Sequence, residues 1–257
     1  MDYQGLEELK LIDEYLKNYN KQIVNFFVDK FDKKSYSVLD FGAGIGTLAE
    51  IFYKKTSIKP ECFEICKKSQ KILTHKGFKL QNEFLNEEKY DLIFASNVLE
   101  HIEQDSKTIA DLKKMLKKDG YLIIVVPAFN LLFSKFDVKV GHFRRYDKKT
   151  LKKLCENNEL IIENIDFFDS SGFFILLIMK FLRISSCKKI TAKNLIFYDK
   201  IIVRINIILD LIFKKICGKN IILIARKKWK MDIRNFLSMN NLFENIFILI
   251  SFINIDV

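Results

Sequence analysis

Three groups of residues in this chain have types and spacings that suit chemistry. The first is Asp40-Phe41-Gly42-Ala43-Gly44-Ile45-Gly46, a glycine turn with a carboxylate two residues before its first glycine. Glycine at such a turn lets backbone approach a ligand closely and adopt dihedrals that a Cβ forbids. A helix opening directly after it adds exposed N–H groups and the positive end of its dipole. The second is Glu64, at the end of the next apolar stretch. A carboxylate there can accept hydrogen bonds from both ribose hydroxyls of a nucleoside. The third is His101 together with the run Gly141-His142-Phe143-Arg144-Arg145-Tyr146. Histidine titrates near neutrality and can move a proton. Paired guanidiniums suit bidentate contact with a phosphate or carboxylate.

The turn itself discriminates between ligands. A dinucleotide fingerprint wants Gly or Ala at the sixth position counted from Gly42, and that position is Thr47. Asp40 would repel a pyrophosphate, whereas it suits a ligand with a cationic ammonium. Of the two nucleoside ligands that such a turn accommodates, S-adenosylmethionine fits better.

These residues need a scaffold, and the hydrophobic pattern provides one. Residues 6–31 read as helix, with Leu6, Leu9, Ile12, Leu16, Ile23, Phe26 and Phe27 at roughly helical spacing. Ser37–Phe41 reads as a strand before the glycine turn, and Thr47–Lys54 as the helix after it. Further strands are expected at Pro60–Phe63, Phe78–Leu80, Tyr90–Ala95 and Tyr121–Val126. A helix is expected over Val98–Leu116, stopped at Lys117-Lys118-Asp119-Gly120 with Gly at the stop position. Beyond an irregular segment at Phe129–Asp147 lie a helix at Lys148–Asn157, a sixth strand at Ile161–Phe168, amphipathic helices at 173–183 and 194–216, and a seventh strand at Asn220–Ala225. Strands that alternate with helices and carry unbroken apolar runs predict a parallel sheet covered on both faces.

On these residues the chain resembles the class I S-adenosylmethionine-dependent methyltransferases. Val38-Leu39-Asp40-Phe41-Gly42-Ala43-Gly44-Ile45-Gly46 resembles their first motif, and Tyr90-Asp91-Leu92-Ile93-Phe94-Ala95-Ser96-Asn97-Val98-Leu99-Glu100-His101-Ile102 their fourth-strand motif. Leu116-Lys117-Lys118-Asp119-Gly120-Tyr121-Leu122 resembles the segment entering the fifth strand. Pro127-Ala128-Phe129, Ser134, Asp137 and the Gly141–Tyr146 run, with Tyr19-Asn20, resemble a bacterial subgroup with a Gly-His-x-Arg-Arg-Tyr loop. The resemblance implies a Rossmann-like α/β fold with a seven-stranded, mostly parallel sheet. It implies that Asp40, Gly42, Ala43 and Gly44 surround the methionine portion of S-adenosylmethionine, that Glu64 holds the ribose and that Ile65 packs on the adenine. Asn82 and Glu83 compete to meet the adenine amine, and Ser96, Asn97 and Val98 line the sulfonium side. The resemblance implies transfer of a methyl group to a small-molecule, cell-surface glycan or lipid-linked acceptor. Glu159-Leu160 stands where the subgroup has Gly-Phe, and Phe167-Phe168-Asp169 where it has a Tyr-Phe-Asn-type turn. No counterpart is evident from Trp229 onward.

Methyl transfer asks the protein to align acceptor, methyl and sulfur and to exclude water. His142 is therefore expected as the acid/base or acceptor-orienting residue, with His101 and Tyr146 beside it and Arg144 and Arg145 reading an anionic acceptor. No metal is expected, because Cys62 and Cys66 lack the His or Cys partners of a zinc set.

Composition bounds the partners. The chain has 257 residues, 49% hydrophobic and 29% charged, with a net charge of +11, which excludes a disordered chain. The basic residues are 37 Lys and only 6 Arg, so no arginine-rich nucleic-acid face is expected. The charge is uneven, with +4 over residues 1–160 and +7 over residues 161–257. No apolar run reaches the ~18–20 residues of a membrane span. The amphipathic segments within 173–219 suit either a cover over the sheet and acceptor pocket or peripheral contact with an anionic membrane. The start Met1-Asp2-Tyr3-Gln4 has no signal-peptide pattern, so a cytoplasmic enzyme, on the inner face of the membrane, is expected. The expected organisation is an enzyme domain at 1–228, helical lid segments at about 129–160 and 173–216, and a tail at 229–257 of unassigned role. The rival readings are an RNA methyltransferase and a non-catalytic cofactor-binding adaptor at a membrane surface.

Overall fold

A computed structural model describes residues 6–28, 36–183 and 191–228. The expected tail at 229–257 and the end of the first predicted helix at 29–31 lie outside the described residues. Helices α1 (Leu6–Tyr15) and α2 (Lys17–Val28) precede β1 (Val38–Phe41). There follow α3 (Thr47–Thr56), β2 (Glu61–Phe63), α4 (Lys67–His75), β3 (Leu80–Gln81) and β4 (Tyr90–Ser96). A 3-10 turn at Leu99–His101 leads to α5 (Asp105–Met115) and β5 (Leu116–Pro127). A second 3-10 turn at Asn130–Leu132 is followed by α6 (Lys135–Lys139), α7 (Lys148–Asn157) and β6 (Leu160–Phe168). The chain continues through α8 (Ser170–Phe181), α9 (Ala192–Phe197), a π-helical turn at Tyr198–Ile202, α10 (Val203–Phe213) and β7 (Asn220–Lys227).

The seven strands form one sheet in the order β3-β2-β1-β4-β5-β7-β6. The pairings among β1 to β5 are parallel, and β7 runs antiparallel to both β5 and β6. This is the predicted sheet, and both faces are covered. In β4, Ile93 and Ala95 face a cluster with Ile109, Leu112 and Met115 of α5 and Leu151 of α7. Leu92 and Phe94 face the opposite cluster, with Ile23, Val24 and Phe27 of α2 and Phe52 of α3. Burial on both faces explains the unbroken apolar runs.

The helix predicted over residues 6–31 is two helices, α1 and α2, broken at Leu16, and further expectations change. The single helix predicted over Val98–Leu116 is a 3-10 turn and a shorter α5, separated by Ile102–Gln104. Lys117–Gly120 is not a helix stop but an outward bulge in β5. Its register to β4 jumps from Tyr90↔Leu116 to Leu92↔Tyr121. Gly120 is needed there, since a Cβ would sit 2.9 Å from the Lys117 carbonyl oxygen.

Candidate active site

The carboxyl ends of β1, β2 and β4 bring the predicted residues to one edge of the sheet, where ligands of parallel α/β sheets bind. β1 delivers Asp40, buried at 3% exposure, and its Oδ2 makes no hydrogen bond. Burial, then the neighbouring Glu64 charge, push this carboxyl well above the usual carboxylate range. Gly42 follows at φ 76°. Its missing Cβ matters, because one would lie 2.3 Å from Cγ2 of Val98. The glycine turn and the segment after β4 are therefore in contact.

Glu64 reaches across to the same turn. Its Oε2 accepts from the Gly44 N–H at 2.8 Å and its Oε1 from the Cys66 N–H at 2.7 Å. The amides of Gly42 and Ala43 both donate to the Phe63 carbonyl. Next to Glu64, Ile65 is 71% exposed, an apolar surface turned to solvent. Asn82 and Glu83 lie just past β3 and are both exposed. The sequence reading missed their neighbour Phe84, whose ring stands 5.2 Å from Phe63 and 5.7 Å from Phe41. The pair Phe84-Leu85 in an otherwise polar turn is the available signal.

At the end of β4, Asn97 adopts φ 54° and donates its amide to the Val125 carbonyl at 2.8 Å. Ser96 accepts from its side chain at 3.3 Å. The 3-10 turn then presents Glu100 and His101. Glu100 is fully buried, and neither carboxylate oxygen makes a hydrogen bond. Burial pushes its carboxyl up to about 8. The His101 ring stands 4.6 Å from the His142 ring at 80°. Burial, then the proximity of His142, hold His101 down to about 4.

His142 is fixed from behind. Asp137, buried on the short α6, lies 2.9 Å from its Nδ1. Burial alone would raise the Asp137 carboxyl, but hydrogen bonds from His142, Arg145 and Ser134 and the Arg145 charge hold it near 2. Nε2 of His142 faces Glu100 Oε1 at 4.0 Å. Glu100 also anchors the loop, since its carbonyl accepts from the Phe143 N–H at 2.8 Å.

The arginines depart from the expected acceptor clamp. Arg145 is buried and donates to Asp137 through Nε at 2.8 Å and Nη2 at 3.2 Å, and to the Ala128 carbonyl. Arg144 pairs with Asp105 at 2.6 Å and donates to the Glu103 carbonyl. The Tyr146 hydroxyl donates to Asp105 at 2.8 Å and lies 3.2 Å from the Leu99 carbonyl oxygen. Arg144 and Tyr146 pin the loop to α5 and the 3-10 turn, and Arg145 ties it to α6 and to the end of β5. For Arg145 the physical reason is burial: an unpaired guanidinium inside the protein would be too costly, so it finds a carboxylate. Glu100 and Asp137, like Phe84, are site residues with no role among the sequence candidates. The signal for Glu100 was an acid directly before a histidine at the ligand edge of a strand.

A family model described as a methyltransferase domain matches residues 12–164. The fold is similar to that of a SAM-dependent methyltransferase from Archaeoglobus fulgidus, with a TM-score of 0.56, 17% identity, and coverage of 86% of this chain and 99% of that one. It is similar to a Haemonchus contortus phosphoethanolamine N-methyltransferase 2 in complex with S-adenosyl-L-methionine, with a TM-score of 0.55, 17% identity, and coverage of 82% of this chain and 53% of that one. A cyclase, SpnF, shares the fold at a TM-score of 0.56 and 14% identity over 82% of this chain and 81% of that one, so the fold alone does not fix the reaction. The domain match, over more than half the chain and spanning the glycine turn, Glu64 and the fourth-strand motif, does decide it: this chain belongs to the methyltransferase domain family, as a class I S-adenosylmethionine-dependent methyltransferase.

Proposed function

We propose that the enzyme methylates a hydroxyl of a lipid-linked glycan or related lipid-linked acceptor, met at an anionic membrane surface. The observation that carries this reading is the outer face of α8, α9 and α10. Ile178 is 57% exposed, Phe181 84%, Ile208 64%, Leu211 72% and Ile216 66%. Lys193, Lys200, Arg204, Lys214 and Lys215, on or beside α9 and α10, are exposed as well. Large exposed apolar side chains on helices that also carry exposed basic residues suit the headgroup region of an anionic bilayer. None of the described helices is long and apolar enough to cross a membrane.

The cofactor side fits the residues present. The unpartnered Asp40 Oδ2 would accept from the ammonium of the methionine portion. Glu64 has two lone-pair positions engaged by backbone amides, which leaves two for the ribose hydroxyls. Ile65 and Phe84 offer apolar surface to the adenine, with Asn82 or Glu83 at its amine. Gly42, Ala43 and Gly44, with Ser96, Asn97 and Val98, line the remainder. Bound there, S-adenosylmethionine supplies a methyl group on an electrophilic sulfonium. His142, oriented by Asp137, engages the acceptor hydroxyl. Arg144, Arg145 and Tyr146 are positioning residues that fix the His142 loop.

Cell membranes incubated with enzyme and methyl-labelled S-adenosylmethionine test the acceptor. Label is expected in the solvent-extractable lipid fraction. Label confined to water-soluble small molecules or to RNA overturns the lipid-linked reading.

A further inference from the structure

The Glu100 carboxylate, which makes no hydrogen bond, does not stand alone. Glu100, His101 and His142 each present a ligand atom, and these atoms all lie within 4.8 Å of one another. Two ligands at ~2.1 Å on one tetrahedral ion lie about 3.4 Å apart. The 4.0 Å between His142 Nε2 and Glu100 Oε1 is a small side-chain rotation from that value. The surroundings are those of a metal site. Asp137 takes the Nδ1 side of His142, which turns Nε2 toward Glu100. His101 hydrogen-bonds the Gly141 backbone. Carboxylate and backbone partners of this kind set the tautomer of metal-bound histidines. A buried carboxylate with no hydrogen bond is costly unless something satisfies it, and a cation between the two rings would.

We propose that Glu100, His101 and His142 form a site for one divalent transition-metal ion of the zinc or cobalt class. Two imidazoles and one carboxylate favour such ions over magnesium or calcium, which prefer all-oxygen sets. Three protein ligands leave an open position. The Gly42–Val98 contact places this turn beside the cofactor side of the site. Resting on the methyltransferase reading above, the open position receives the acceptor hydroxyl and lowers its pKa. The hydroxyl proton passes to water, and the oxygen bonds the methyl carbon as the carbon–sulfur bond breaks with its electron pair left on sulfur. His142 thus orients the acceptor through the ion rather than acting as the base itself.

The test is a titration of tag-free, metal-stripped, full-length protein with cobalt(II), followed by visible absorption, with zinc(II) as competitor. Saturation at one equivalent and displacement by zinc are expected. Glu100→Gln and the double variant His101→Ala/His142→Ala should each weaken uptake at least about tenfold while calorimetry shows S-adenosylmethionine still bound. Wild-type protein that takes up no cobalt overturns the site, as does uptake unchanged in the double variant. The readout needs no acceptor. Failed uptake therefore removes the ion and leaves the acceptor reading standing, whereas normal uptake with no label in lipid removes only the acceptor reading.

Discussion

Asp40 is the residue at which sequence, burial and ligand chemistry meet. Its carboxylate is buried, lacks a partner on Oδ2, and shares its surroundings with Glu64. Such a group is disfavoured as an anion in the free protein and favoured once a cation arrives. Replacing it by Asn keeps the shape and removes the charge. Asp40→Asn should weaken S-adenosylmethionine binding by about 10- to 100-fold, in line with ~1.5–3 kcal/mol for a hydrogen bond to a charged group. Calorimetry reads this directly, and unchanged affinity would remove Asp40 from the cofactor site. Arg144 and Arg145 look like ligand-binding residues by type, yet their partners are Asp105 and Asp137.

At the scale of elements, ion pairs hold the sheet edge and the helical cover. Glu61 on β2 accepts from Lys79 at 2.7 Å, from Lys89 at 2.6 Å and from the Tyr90 hydroxyl at 2.6 Å, so it ties β2 to the starts of β3 and β4. Burial alone would raise its carboxyl, but these three donors outweigh burial and hold it at about 2. Its unfolded-state value is about 4.3. A group depressed on folding adds stability that is present above the unfolded value and lost as pH falls toward the folded one. Glu61→Gln should therefore cost about 1 kcal/mol at neutral pH, after solvent screening, and should shrink the loss of stability between about pH 4.3 and about pH 2. Urea midpoints across that range measure both, and parallel curves for the two proteins would refute the assignment. On the other side of the sheet, Asp169 caps α8, pairs with Lys219 at 2.7 Å and accepts from the Tyr198 hydroxyl at 2.5 Å. Through these contacts it joins β6, β7 and the π-helical turn.

For the whole molecule, the net charge of +11 takes meaning from where it sits. Arg144, Arg145 and Arg226 are paired with carboxylates, so they offer no arginine face to RNA. The exposed isoleucines and leucine of α10 lie, in sequence, between exposed lysines and away from the chemistry. Binding to vesicles rich in anionic lipid should fall at least tenfold in the double variant Ile208→Glu/Leu211→Glu, with S-adenosylmethionine affinity unchanged. Flotation of the protein with vesicles reads the first and calorimetry the second. Equal flotation of wild type and variant would show that this face does not meet the membrane.

The strands, and the gathering of Asp40, Gly42 and Glu64 at the carboxyl ends of β1 and β2, were legible in the sequence. Unbroken apolar runs such as Tyr90–Ala95 admit burial on both faces, and glycine beside Asp40 admits a close ligand turn. Those are local properties, legible in a few adjacent residues. Gly after lysines also ends helices, so only pairing with β4 distinguishes the bulge at Lys117–Gly120 from a helix stop. The fate of the arginines, the company of Phe84, and the meeting of Glu100, His101 and His142 were decided by tertiary structure. Each depends on contacts between segments distant in the chain, and on burial, which determines whether a charged side chain must find a partner inside the protein or is left to face a ligand.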